Sequence, residues 1–191
     1  MEIIGKNIGK KYGRSWIFRN LDIEIRHASK VAITGKNGAG KSTLLQILSG
    51  YLTPTEGQVY PGSHERDSTE RNQIYLGPYT EIIEEMTLLE FLGFHSNFKR
   101  AKVGAKEMAT RASLPLDRFI SDFSTGMKQR VKLITAFYFA SEIVFMDEPT
   151  SNLDQDGFDW WEEELKNLNQ TVIIATNDPR EIKYCPQLIK L

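Results

Sequence analysis

The sequence predicts an α/β fold with a mostly parallel core sheet and an antiparallel β subdomain at the N-terminus. Three observations carry that expectation. Val31-Ala32-Ile33, Ile143-Val144-Phe145-Met146 and Val172-Ile173-Ile174-Ala175 are short, uninterrupted, β-branched-rich runs, each followed by a glycine or a polar turn. Strands buried on both faces of a parallel sheet read this way. Leu21, Ile23 and Ile25 alternate with Asp22, Glu24 and Arg26, the period-two pattern of a strand with one wet face. Segments of helical periodicity fill the intervals between the buried runs, as crossovers between parallel strands require.

The helix ends are legible from capping chemistry. Thr87 and Glu90 form a capping box ahead of Leu88, Leu89, Phe91, Leu92 and Phe94. That helix is expected to run out at the basic stretch Lys99-Arg100-Ala101-Lys102, where cations suit a helix C-terminus. Ser124 can cap a second helix with Met127, Val131, Ile134 and Tyr138 at helical spacing. A third starts near Asp156, with Phe158, Trp161, Leu165 and Leu168 on one face and Glu162, Glu163 and Lys166 elsewhere. Aromatics in that pattern read as core.

Composition narrows the class. A chain of 191 residues with 40% hydrophobic and 26% charged residues fits a globular domain with a substantial core. Lys plus Arg number 24 against 25 Asp plus Glu, so a net charge of −1 gives no electrostatic footprint for nucleic acid, and none is expected as a partner. No apolar run approaches the roughly 20 residues that span a bilayer. A single cysteine, Cys185, excludes an internal disulfide, and Met1-Glu2-Ile3-Ile4 has neither the charged nor the apolar region of a secretion signal. A reducing cytosol is the expected compartment.

Gly35-Lys36-Asn37-Gly38-Ala39-Gly40-Lys41-Ser42-Thr43 satisfies the phosphate-loop pattern, two glycines followed by Lys and Ser. It follows the buried run Val31 to Ile33 and opens the periodic segment Leu44, Leu45, Ile47, Leu48, which Gly50 can terminate. Glycines let the backbone turn tightly and aim N–H groups inward at a helix N-terminus, an anion site suited to a polyphosphate. Lys41 would place a point charge on the β- and γ-phosphates, and Ser42 would offer its hydroxyl to Mg²⁺. A second constellation ends the run Ile143 to Met146 with Asp147 and Glu148. Open α/β sheets bind ligands beyond the carboxyl ends of their strands. Asp147 would therefore hold the Mg²⁺ shell, and Glu148 would orient or deprotonate an attacking water.

Phe123-Ser124-Thr125-Gly126-Met127-Lys128-Gln129-Arg130, shortly before Asp147-Glu148, resembles the signature segment of ATP-binding-cassette (ABC) ATPases. The phosphate loop alone is shared with kinases and many GTPases; the signature in this order makes the likeness specific. Lys11-Tyr12-Gly13 looks like the family's adenine-stacking loop, Pro54-Thr55-Glu56-Gly57 its turn into a small hairpin, and Ser151-Asn152-Leu153-Asp154 its D-loop. The resemblance implies a phosphate-loop NTPase formed as one domain over residues 1–191, with a helical subdomain inserted at about 80–140. It implies ATP and Mg²⁺ as ligands, Tyr12 on the adenine, residues Gly35 to Thr43 on the phosphates, Ser42 and Asp147 on the metal, and Glu148 as catalytic base. It also implies head-to-tail pairing with a second copy or a paralogue, whose Ser124, Thr125, Gly126 and Met127 close over the nucleotide. The implied activity is ATP hydrolysis that energises a separate transmembrane permease, with the chain held on the cytoplasmic face of the membrane. A groove around Tyr79 to Phe94, with Ile82, Ile83, Met86 and Leu88, would receive the permease.

Two departures bear on turnover. Where the family continues Thr-His-Asp, this chain reads Thr176-Asn177-Asp178. Asn177 can donate an amide hydrogen bond to a γ-phosphate but cannot shuttle a proton. His27, His64 and His95 do not stand where they could substitute. Pro78 occupies the place of the family's metal-sensing glutamine, Gln73 lies five residues too early, and a water or Tyr79 would complete the site. Slow hydrolysis is the expected result. The alternatives are a nucleotide-gated module with weak or no hydrolysis, a non-transport ABC protein, or a phosphate-loop kinase, which leaves Phe123 to Arg130 unexplained.

Overall fold

The computed structural model describes residues 2–61, 72–78 and 80–191, which fall into two compact units. The first combines Met1–Gly77, Glu142–Glu148 and Asn169–Leu191; the second combines Pro78–Ser141 and Pro149–Leu168. His64 and Tyr79 lie outside the described residues.

The first unit holds both sheets. Strands β1 (Ile3–Tyr12), β2 (Ser15–Ile25) and β4 (Glu56–Pro61) form an antiparallel sheet in the order β2-β1-β4. The parallel sheet contains β3 (Lys30–Thr34), β5 (Gln73–Leu76), β6 (Ile143–Asp147), β7 (Thr171–Ala175) and β8 (Gln187–Lys190), in the order β5-β6-β7-β3-β8. The three apolar runs are its inner strands β3, β6 and β7, as expected. The edge strands β5 and β8 are only four residues long and alternate in burial, so they carry little hydrophobic signal. Helix α1 (Lys41–Ser49) lies against β3, β6 and β7 and ends at Gly50, whose φ of 81° is the left-handed cap that favours glycine. One core binds the two sheets and the helix together, including Ile8, Ile25, Ile33, Leu44, Phe145 and Ile173. Because all strands of the second sheet are parallel, the segments after Thr34, Asp147 and Ala175 emerge along one edge.

The second unit is helical: α2 (Leu88–Ser96), α3 (Ala105–Arg111), α4 (Thr125–Tyr138) and α5 (Gln155–Asn167). Thr87 makes the expected capping box on α2, and Ser124 accepts from Met127 N at 3.3 Å at the start of α4. Val131, Ile134 and Tyr138 of α4 are buried, as are Phe158, Trp161, Leu165 and Leu168 of the α5 segment. Helix α2 stops earlier than the basic stretch suggests. Asn97 N bonds back to Phe94 O at 3.1 Å, and the chain then bridges Ala101 to Phe139. Lys102 donates its Nζ to Phe137 O at 3.0 Å, so this cation serves a helix C-terminus, but that of α4. Among the described residues, no helix is long and apolar enough to cross a membrane.

Phe145 sits fully buried in the central run of β6. Phe145→Ala should lower unfolding stability by about 3–5 kcal/mol in a denaturant titration, the usual cost of deleting a core ring.

Candidate functional site

Helix α1 begins where β3 delivers the glycine-rich loop. Gly40, its N-cap, has a φ of 99°, and a Cβ there would come within 2.3 Å of Ile17 Cγ2 on β2. Gly38 is also left-handed, at a φ of 82°. Other residues rarely adopt these dihedrals, so the loop curls through 35–40 and aims the helix N-terminus at its concave side. Within the curl Ala39 N donates to Lys36 O at 3.0 Å. Lys41 is 7% exposed, and its Nζ donates to Gly35 O at 3.2 Å and Lys36 O at 3.5 Å. Its ammonium is thereby folded over the loop.

Asp147 ends β6 at the same edge and is 6% exposed. The Ser42 hydroxyl lies beside its carboxylate, whose Oδ2 is buried with no hydrogen-bond partner. Burial raises the carboxyl above the ordinary aspartate range; the nearby Ser42 hydroxyl opposes this, Glu148 adds to it, and Lys41 lowers it. Among the described residues no three His, Cys, Asp or Glu side chains cluster as a metal site. Magnesium, however, commonly takes one or two protein oxygens and completes its shell with waters and phosphate oxygens. The orphaned Oδ2 beside the Ser42 hydroxyl fits that donor set.

Glu148 follows with a φ of 49°, a left-handed backbone that strains a non-glycine residue, pinned by its N–H to Ala175 O at 2.9 Å. Its side chain is exposed. Asn177, after β7, accepts from Gly35 N at 3.3 Å and donates Nδ2 to Asn37 Oδ1 at 3.0 Å. Its amide thus braces the loop. Tyr12 stands on the β1–β2 hairpin, 55% exposed, with Lys10 Nζ 5.3 Å from its ring centroid. Gln73 starts β5, away from the carboxyl edge, and its Nε2 donates to Ser49 O at 2.8 Å.

Gly35 to Thr43, Asp147, Glu148, Asn177 and Tyr12 all belong to the first unit; Ser124, Thr125, Gly126 and Met127 belong to the second. There the start of α4 is tied to the segment after Glu148. A Cβ on Gly126 would fall 2.8 Å from Asn152 O, and Gln129 Nε2 donates to Pro149 O at 2.8 Å. Arg130 pairs with Asp154, whose carboxylate also caps α5 by accepting from Gly157 N at 2.9 Å. Those two donors hold the Asp154 carboxyl below the usual range. The roles of Gln129 and Arg130 leave no signal in the sequence, because nothing in the spacing links them to residues 149–154. Of the apolar groove, Leu88 is fully buried and belongs to the core, whereas Ile83 and Leu89 are exposed.

At pH 7 the buried charge of Asp147 opposes folding. A raised folded-state pKa means the native state holds the proton longer than the unfolded chain, so this residue's contribution falls as pH rises through that window. Asp147→Asn should therefore stabilise the ligand-free chain at pH 7 by about 0.5–2 kcal/mol. In denaturant titrations that gain should shrink on acidification, as the wild-type carboxyl protonates.

Comparison with known proteins identifies the family. The family model described as ABC transporter matches residues 18–151. The "Fe(3+) ions import ATP-binding protein FbpC" of Photobacterium profundum is 29% identical over 94% of this chain, and the chain spans about half the length (55%) of that relative. A Staphylococcus epidermidis protein, provisionally named the hemin import ATP-binding protein HrtA, is 30% identical over 98% of this chain and 93% of its own length. The dimeric structure of the ATP-binding cassette MJ0796 in a post-hydrolysis state, bound to ADP and Pi, superposes with a TM-score of 0.83 at 26% identity, covering 99% of this chain and 94% of that one. With the family model covering well over half of its length, the chain belongs to the ABC transporter family.

Proposed function

We propose that this chain binds ATP with magnesium on the loop Gly35 to Thr43 and hydrolyses it as the ATP-binding subunit of an ABC transporter. The observation that carries this reading is the meeting of two motifs far apart in sequence, the Ser42 hydroxyl in the first turn of α1 and the buried Asp147 carboxylate at the end of β6, at one edge of the parallel sheet. The loop N–H groups and the helix dipole receive the β- and γ-phosphates, Lys41 exchanges the carbonyls of Gly35 and Lys36 for phosphate oxygens, and the exposed ring of Tyr12 stacks on adenine. Magnesium held by Ser42 and Asp147 would neutralise charge building on the phosphate oxygens. Glu148 takes the proton of the attacking water as its oxygen bonds to the γ-phosphorus; the bond from that phosphorus to the bridging oxygen breaks, and the electron pair leaves on ADP.

Pairing follows from the same chemistry. Ser124, Thr125, Gly126 and Met127 of a second copy or a paralogue present the N-terminus of α4 to the γ-phosphate, so ATP joins the cassettes and its hydrolysis releases them. The dimeric state of the MJ0796 cassette supports this reading. The force-bearing partner would be a separate transmembrane permease, as the import function in the relatives' names supports, and the chain would act at the cytoplasmic face with residues 1–191 working as one ATPase domain. A second reading, a nucleotide-gated module with weak turnover, is favoured by Asn177, whose amide is occupied by Gly35 and Asn37 and carries no titratable proton.

Glu148→Gln should lower steady-state ATP turnover by about 10²–10⁴-fold while calorimetric binding of magnesium-ATP persists; equal rates near background refute the hydrolytic reading. Asn177→His should raise turnover in the same assay, because an imidazole can shuttle the proton that an amide cannot. A folded Asn177→His variant with unchanged or lower turnover overturns that role.

A further inference from the structure

The polar lining of the phosphate site continues one helical turn below Ser42. Gln46 follows Ser42 by four residues on α1 and shares its face. Its side chain reaches toward the hydroxyl of Tyr75 on β5 without the geometry of a hydrogen bond. Tyr75 pairs with Phe145 across β5 and β6, so it shares a sheet face with Asp147, two residues farther along β6. Two rungs result: Ser42 with Asp147 at the rim, Gln46 with Tyr75 beneath.

Tyr75 Oη and Asp147 Oδ2 are both buried, and neither has a hydrogen-bond partner. Burial, reinforced by the charge of Asp147, pushes the Tyr75 hydroxyl up to about 12. The ring is held in place. Tyr51 meets it edge-on with centroids 5.1 Å apart, and Gly77 lies so close that a Cβ there would fall 2.7 Å from Tyr75 Cε1. Buried polar atoms left without partners are uncommon in folded proteins and call for a third group. Two of them on one face, one a carboxylate oxygen, are both satisfied by a water from the shell of a hydrated divalent cation.

We propose that Tyr75 is a positioning residue for the divalent cation of the nucleotide site, its hydroxyl orienting Asp147 and a water of the cation's shell. The inference rests on the nucleotide-binding reading above. Partners in the outer shell of a metal typically contribute 10–100-fold in affinity.

The test is Tyr75→Phe in the full chain, with ADP binding measured by calorimetry across a Mg²⁺ series and in EDTA, beside the melting temperature without ligands. The Mg²⁺ concentration that half-saturates the tightening of ADP binding should rise about 10- to 100-fold. ADP binding in EDTA should stay the same. The ligand-free melting temperature should hold or rise, because the variant removes a buried hydroxyl that has no partner. An unchanged Mg²⁺ dependence overturns the proposal, as does a lowered melting temperature with parallel loss of ADP binding in EDTA, which would make Tyr75 a packing residue. A wild-type chain that ignores ADP with and without Mg²⁺ overturns the nucleotide reading instead, and this inference with it.

Discussion

A carboxylate that is almost out of water sits at the end of a strand whose other residues are all buried and apolar, and the arrangement of the first unit answers to it. Burying an ionised group without partners is costly. Asp147 is met by the Ser42 hydroxyl and the charge of Lys41, both placed by the first turn of α1. That turn can face the strand end only if β3 runs parallel to β6 and β7 and releases the chain through a glycine-rich curl at the same edge. Topology, glycines and charge therefore form one constraint seen from three sides.

Much of this was readable in advance, for physical reasons that differ by element. The inner strands announce themselves because burial on both faces forbids polar residues, and the caps at Thr87 and Ser124 because orphaned N–H groups demand side-chain oxygens. The phosphate loop is legible because few sequences satisfy so tight a turn. The edge strands β5 and β8 are not, since short half-exposed strands borrow their conformation from neighbours. The end of α2 is misread because a run of cations does not say which helix terminus it serves; only the bridge between Ala101 and Phe139 assigns Lys102 to α4. Asn177 reads from sequence as a phosphate donor, whereas its contacts to Gly35 and Asn37 also make it a brace for the loop.

The second unit obeys a related logic on its own terms. The beginning of α4 is fastened to the stretch following Glu148 by a close approach at Gly126, an amide bond from Gln129 and the Arg130–Asp154 ion pair. A serine-capped helix start and a loop ending in a second capped helix are thus set in register with each other. Substitutions at 126, 129 or 130 act on that loop as well as on the helix, so the effects of changes in the two segments should not add independently.

The chain's one thiol has a practical corollary. Cys185 is 4% exposed, and burial pushes its ionisation up to about 12, so almost no nucleophilic thiolate exists at neutral pH. Maleimide and nitroxide reagents would pass it by. The native background is in effect silent, and an engineered thiol at an exposed position away from the nucleotide-binding segments, such as Lys106, can carry a spin label or fluorophore alone, turning the natural chain into a ready scaffold for spectroscopic distance measurements.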